Sequence, residues 1–282
     1  MRGRRQNAAV ASHRGLRESG DSIMNSVQPI PCAALEHIRV VLHRPSHPGN
    51  IGSAARAMKT MGLTRLVLVA PRRMPDESAR ALAAGGLDVL ERAAFCESLR
   101  EALAGASIAF AFSARARELS HGGIDPRTAA AEAIEVAQRE EVALVFGNET
   151  AGLSNADVLI CNRLVHIPSD ERHGSLNLAA AVQVAAYELR TAALAAERAP
   201  GHIDAARETK LAEIEELERF YDHLDASLRR TGFLDPGKPK RLMERLRRLF
   251  GRARLEREEV NILRGMLSAW DEAQGGQRGK VD

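Results

Sequence analysis

This sequence predicts an α/β fold built on a parallel sheet, and three observations carry the prediction. Short β-branched runs recur between His37 and Ile167, helical segments separate them, and a long Ala-rich helix from Leu176 to about Ala196 closes the series. Strands that alternate with helices bring every connection back over a face of the sheet, which makes the strands parallel and buries both faces.

Taken in order, strands are read at 37–42 (HIRVVL), 65–70 (RLVLVA), 107–113 (SIAFAFS), 142–146 (VALVF) and 164–167 (LVHI), with helices at 52–61, 76–84, 97–104 and 127–138. Ser53 is a candidate cap for the first helix, and Gly62 suits the left-handed residue that ends it. Ala199-Pro200-Gly201 breaks the long helix and marks a boundary. The expected organisation is a disordered Arg-rich leader over 1–34, the α/β domain over 35–199 and a helical extension over 200–282.

Composition narrows the class. At 282 residues, 45% hydrophobic and 27% charged, the chain is neither wholly disordered nor a disulfide mini-protein. The longest apolar-leaning run without charge, Gly174 to Tyr187, is shorter than the ~20 residues of a membrane helix, so no membrane span is expected. Cys32, Cys96 and Cys161 form no CxxC pair and leave one over, which fits a reducing, cytoplasmic setting. The net charge of +3 is small, but its distribution is not even: residues 204–225 hold eight acids against three bases, and 236–257 hold nine bases against two acids. There Arg241, Arg245, Arg248 and Arg252 fall on one helical stripe, with Leu242, Leu246 and Leu249 on another. Such a stripe is either a solvated face neutralised by the acidic helix before it or a phosphate-binding surface.

Three glycine-punctuated loops each follow an expected strand, where ligands bind in open α/β sheets. The first, His43 to Gly62, contains Gly49-Asn50-Ile51-Gly52-Ser53 and Arg56; it matches neither GxGxxG nor GxxxxGK[ST]. Arg72 and Arg73 stand where an NAD site would want an acid, which leaves NADP as a second reading. Pro45 between His43 and His47 argues against a metal pair, and no metal is expected. The second loop is Phe146-Gly147-Asn148-Glu149 with Gly152-Leu153, a polar pair on a turn. The third runs from Ile167 through Gly174-Ser175-Leu176-Asn177-Leu178 into the long helix, with Ser175 a candidate capping hydroxyl. Each alone is a competent strand-to-helix connection.

Together and in this order, with Ser113-Ala114-Arg115 between them, these segments resemble the motifs of the SPOUT-class RNA ribose 2′-O-methyltransferases of the TrmH type, nearest to those acting on tRNA cytidine and uridine. Phe233-Leu234-Asp235-Pro236 and Val260-Asn261-Ile262-Leu263-Arg264-Gly265 resemble the C-terminal extension of that branch. The resemblance implies a Rossmann-like parallel sheet with a C-terminal trefoil knot, S-adenosylmethionine as cofactor, a homodimer, and tRNA as partner. The target it implies is a cytidine or uridine ribose at the first nucleotide of the anticodon loop. It assigns catalysis to Arg56, supported by Asn50, Glu149 and Asn177. It builds the cofactor pocket from Phe112, Ser113, Ala114, Gly147, Ile167, Gly174, Ser175 and Leu176, with Phe112 standing where relatives usually carry Thr and Gly174 where they carry Ser. Arg115, Arg117 and Arg172 join the 241–252 stripe as candidate RNA contacts. A non-catalytic RNA-binding dimer of the same fold is the other reading.

Overall fold

Apolar residues at successive positions of a strand leave no face for water, so the strands must lie between two layers of helix. The computed structural model describes residues 33–114, 123–170, 174–198, 210–237 and 240–278. Its strands are β1 (Ile38–His43), β2 (Arg65–Val69), β3 (Ala94–Cys96), β4 (Ala106–Phe112), β5 (Glu141–Phe146) and β6 (Arg163–Val165). They form one sheet in the order β3-β2-β1-β5-β4-β6, with every pair parallel. At its centre Val41 lies between Val67 and Val145. All seven positions of β4 are buried.

The helices before the extension are α1 (Ala33–Glu36), α2 (Pro48–Met61), α3 (Glu77–Ala83), α4 (Leu87–Glu91), α5 (Leu99–Ala102), α6 (Pro126–Ala137), α7 (Asn155–Ile160) and α8 (Leu178–Arg198). Val40, Leu42, Phe110 and Leu144 face the layer of α2, α6 and α8. The alternate positions Val41, Ala109, Ala111, Ala143 and Val145 face Leu99, Val158 and Ile214 on the other side. The extension consists of α9 (Ile214–Arg230), α10 (Leu242–Ala253) and α11 (Arg257–Arg278).

Several boundaries differ from the sequence reading, for local reasons. The helix expected from 52 begins at Pro48, whose fixed φ suits a first turn; Ser53 is therefore inside α2 and caps nothing, while Gly62 ends the helix at φ 87. The helix expected over 97–104 shortens to Leu99–Ala102, and the long helix starts at Leu178 instead of Leu176. The leader boundary at 34 falls inside α1, where Ala34 and Leu35 are buried. β3 is three residues long and lies at an edge with no fully buried position, too little pattern to read. The path of the expected trefoil knot includes residues 171–173, and the Ala199-Pro200-Gly201 break falls at 199–201; both lie outside the described residues.

α9, α10 and α11 share a core of Leu217, Phe220, Tyr221, Leu224, Val260 and Leu267. The helical face of α10 that joins it is Met243, Leu246 and Phe250; Leu249, expected on the core side, is 51% exposed. Arg247 occupies the inward place instead, its guanidinium over the Tyr221 ring at 4.3 Å and bonded to the buried carboxylate of Glu218. Arg100 reaches the same carboxylate at 2.6 Å from α5. Arg163, at the start of β6, bonds Glu132 at 2.9 Å and the Gly251 carbonyl at 3.0 Å, and Arg254 lies 3.5 Å from Glu132. The extension is thus bolted to the amino-terminal end of the sheet.

Candidate active site

β4, β5 and β6 end side by side, with Phe112 in register with both Phe146 and Val165. The Phe112 and Phe146 rings stack with centroids 4.4 Å apart and form an apolar floor. Beyond it the chain opens into a cleft of about 800 Å³, its open mouth included. Ser113 and Ala114 line it after β4, residues 147–152 after β5, Ile167 and Ser169 after β6, and Ser175, Leu176, Leu178 and Ala181 at the entry to α8.

The loop after β5 is closed by its own side chains. Asn148 Oδ1 accepts the amides of Thr150 at 3.1 Å and Ala151 at 2.6 Å, and the Gly152 amide returns to the Asn148 carbonyl at 2.9 Å. A Cβ on Gly147 would lie 2.2 Å from the Gly152 carbonyl carbon, so this glycine is required by backbone crossing backbone. Asn148 thereby turns inward, and Glu149 outward.

Glu149 gathers three segments. Its carboxylate accepts the Ser46 amide at 2.9 Å, the His47 amide at 3.3 Å and Asn50 Nδ2 at 2.9 Å. Asn177 Nδ2 donates to Asn50 Oδ1 at 3.0 Å, and Asn177 Oδ1 accepts the Ala179 amide at 2.9 Å, which makes Asn177 the cap of α8 in place of Ser175. Burial raises the Glu149 pKa, but the bonds from Asn50, Ser46 and His47 outweigh it and hold the carboxyl below its ordinary value. A carboxylate wired to two carboxamides presents fixed polar groups at the cleft's edge, a preorganised arrangement for orienting a hydroxyl.

Of the sequence-predicted residues, the structure brings Asn50, Glu149 and Asn177 together and places Phe112, Ser113, Ala114, Gly147, Ile167, Ser175 and Leu176 in the cleft lining. Gly174 is not in that lining; it takes φ +77, and its carbonyl accepts from Ser169 Oγ at 3.1 Å, so it turns the chain toward α8. Arg56 is exposed on α2 and does not line the cleft: six residues beyond Asn50, it lies on another helical face. Arg115, Arg117 and Arg172 lie outside the described residues. On α10, Arg245 and Arg252 are exposed with no ion pair among the described residues, Arg248 is half-buried, and Arg241 lies 3.9 Å from Glu244. The acidic α9 is met by Arg247, Arg100 and Arg257, not by this stripe. His43 is 3.6 Å from Asp157, and burial holds it below the ordinary imidazole value against that carboxylate. Sequence reasoning missed Asn148, the Ser46 and His47 amides, and Ser169; an Asx turn before Gly152 was the available signal for the first.

Residues 37–187 match the model of the SpoU rRNA methylase family. The chain belongs to that family. As a SpoU methylase it is a methyltransferase whose methyl donor is S-adenosylmethionine, which sets aside the NADP reading. Residues 215–279 match the C-terminal domain of the tRNA methyltransferase TrmJ. The chain is 50% identical over 240 residues to the tRNA (cytidine/uridine/adenosine-2′-O-)-methyltransferase TrmJ of Pseudomonas aeruginosa, covering 83% of this chain and 93% of the relative. It is 48% identical to the Klebsiella pneumoniae tRNA (cytidine/uridine-2′-O-)-methyltransferase TrmJ, covering 86% of this chain and all of the relative. The crystal structure of TrmJ from Z. mobilis superposes with a TM-score of 0.71 at 33% identity, covering 83% of this chain and 98% of that one.

The cleft fits the donor by its chemistry. Leu176, a large apolar side chain left 40% exposed, and the half-buried Ile167 both line the cleft, apolar surface that a flat purine would cover. Ser113, Ser169 and Ser175 add hydroxyl groups to the lining around it.

Proposed function

We propose that this protein methylates the ribose 2′-hydroxyl of a cytidine or uridine in tRNA, at the first nucleotide of the anticodon loop, as a cytoplasmic homodimer. The observation that carries the reading is the Asn50–Glu149–Asn177 network at the rim of the cleft, in a chain half identical to a tRNA 2′-O-methyltransferase. The donor, when bound, supplies an electrophilic methyl on a sulfonium. The chain supplies geometry: Phe112, Ile167 and Leu176 hold the donor's apolar part, and Glu149 with its two carboxamides fixes the rim where the ribose arrives.

Arg56 is the proposed catalytic arginine. A guanidinium keeps its protons in proteins, so its part is to orient the hydroxyl and stabilise the developing alkoxide, while a phosphate oxygen or a water takes the proton. Arg56 is exposed and off its own cleft, which in a homodimer makes it available to the cleft of the second protomer. RNA then lies across both protomers, with Arg245 and Arg252 of α10, exposed and in no ion pair among the described residues, offered for phosphate contacts.

The deciding experiment incubates unmodified tRNA with protein and S-adenosylmethionine and analyses nucleosides by mass spectrometry. A 2′-O-methylated cytidine or uridine in the anticodon-loop fragment is the expected product; its absence assigns the protein to binding without catalysis. Arg56→Lys replaces a planar fork by a point charge, and should lower turnover at least ~100-fold with donor affinity unchanged. Full turnover in that variant removes Arg56 from the mechanism.

A further inference from the structure

Three arginines stand together at the carboxyl edge of the sheet, and nothing in the transfer described above uses them. Arg44 follows β1, and Arg72 and Arg73 follow β2. Their loops are laced side by side: the Arg44 amide donates to the Val69 carbonyl at 2.8 Å, the Arg72 amide to the Pro45 carbonyl at 3.0 Å, and the Ala70 amide to the Cys96 carbonyl at 2.9 Å. Within this lacing Arg44 and Ala70 hold left-handed backbone, φ 55 and 40, which non-glycine residues adopt only when their surroundings force it. The loops are rigid, and the arginines are displayed from fixed positions.

All three side chains are exposed, and none makes an ion pair or hydrogen bond among the described residues. No acidic residue occurs in 43–50 or 70–75. The next acid, Asp76, is engaged by the amides of Ser78 and Ala79 at 3.0 and 3.2 Å, capping α3. Exposed guanidiniums with no ion pair among the described residues leave their charge available to an arriving anion. The patch also adjoins the cleft. Two residues after Arg44, the Ser46 and His47 amides bond Glu149 in the cleft wall.

We infer that Arg44, Arg72 and Arg73 form a phosphate-gripping rim that holds the RNA backbone beside the nucleotide being methylated. The inference rests on the reading that RNA is the substrate. Guanidinium forks pair with phosphodiester oxygens bidentately, so the rim fixes strand register without reading sequence. It is separate from the α10 stripe, because α10 meets Arg163 at the amino end of β6, the opposite edge of the sheet. RNA that touches both is gripped at two places.

The test compares wild type with Arg44→Asn/Arg72→Gln/Arg73→Gln, where Asn is chosen because it tolerates left-handed φ. Dissociation constants for unmodified tRNA are measured by fluorescence anisotropy across a salt series, alongside kcat, KM and calorimetric affinity for S-adenosylmethionine. The variant is expected to raise Kd and KM for tRNA by about tenfold and to flatten the slope of log K against log salt by about 2. Donor affinity and kcat at saturating tRNA should stay within about twofold, since phosphate contacts position and do not react. An unchanged Kd and slope overturn the rim. If the triple variant also loses donor affinity, Arg72→Gln/Arg73→Gln, which leaves the Arg44 backbone intact, decides by the same slope. A wild-type protein that yields no 2′-O-methyl nucleoside refutes the methylation reading instead, and the salt slope still reports on the rim.

Discussion

At the scale of single residues, Glu149 shows how one side chain turns three loops into a site. Its acceptors hold two backbone amides and one carboxamide, and Asn50 passes the constraint on to Asn177. Bonds to a charged acceptor are worth about 1.5 kcal/mol or more when dry, and less at a half-exposed position, so the set contributes about 1 to 2 kcal/mol. Because the folded-state pKa is lowered, that stability is fully present above the ordinary glutamate value and is lost as pH falls through the folded one. Glu149→Gln turns an amide NH2 toward other donors. Urea titrations should show the variant weaker than wild type by about that amount at pH 7, with the two converging as pH falls below the ordinary glutamate range. A gap that persists undiminished in acid would mean the carboxylate's charge is not what holds the loop. Linear spacing alone left the residues of this network as separate polar positions, and only the family resemblance grouped 50, 149 and 177.

At the scale of elements, glycine placement explains what the motifs do in the fold. A Cβ on Gly52 would lie 2.0 Å from the Ala79 carbonyl oxygen, and one on Gly86 would lie 2.7 Å from the Ala55 carbonyl oxygen. The first glycine-rich segment therefore lets α2 lie against α3 and the 3-10 turn Ala84–Gly86. Gly52→Ala must push two backbones apart, which costs about 1 to 3 kcal/mol or more. The expected result is a lower melting temperature without loss of donor binding in the folded fraction; an unchanged melting curve would show that α3 yields freely. Elements with strong pattern were legible within a few residues, as in β4, whose seven positions are all buried, and β5. What escaped were elements shaped by tertiary contact: β3, held by pairing with β2 alone, and the inward face of α10, where Arg247 over Tyr221 displaces the leucine periodicity. Charge periodicity found the basic stripe, yet could not show that Arg247, off that stripe, joins Arg100 and Arg257 in pairing with the acids of α9.

At the scale of the whole molecule, the extension and the sheet are joined at the amino-terminal edge through Glu218 and Glu132, while the cleft opens at the carboxyl edge. On the proposed reading the chemistry is split between this pocket and Arg56, an exposed arginine that does not line it. If Arg56 acts in the cleft of the second protomer, each site of the dimer draws Glu149 from one chain and Arg56 of the partner subunit from the other. Arg56→Ala and Glu149→Ala proteins are then each inactive as homodimers, but for different halves of the same site. In a mixed dimer one cleft has lost both groups and the other keeps both. Co-expression with distinct affinity tags and purification of the heterodimer should recover about half of the wild-type turnover per dimer, read as 2′-O-methylated nucleoside by mass spectrometry. If each protomer uses its own Arg56, every cleft of that heterodimer has lost one essential group, and the mixture stays as inactive as its parents. With both parent homodimers inactive, the two arrangements differ by the presence or absence of activity in the heterodimer.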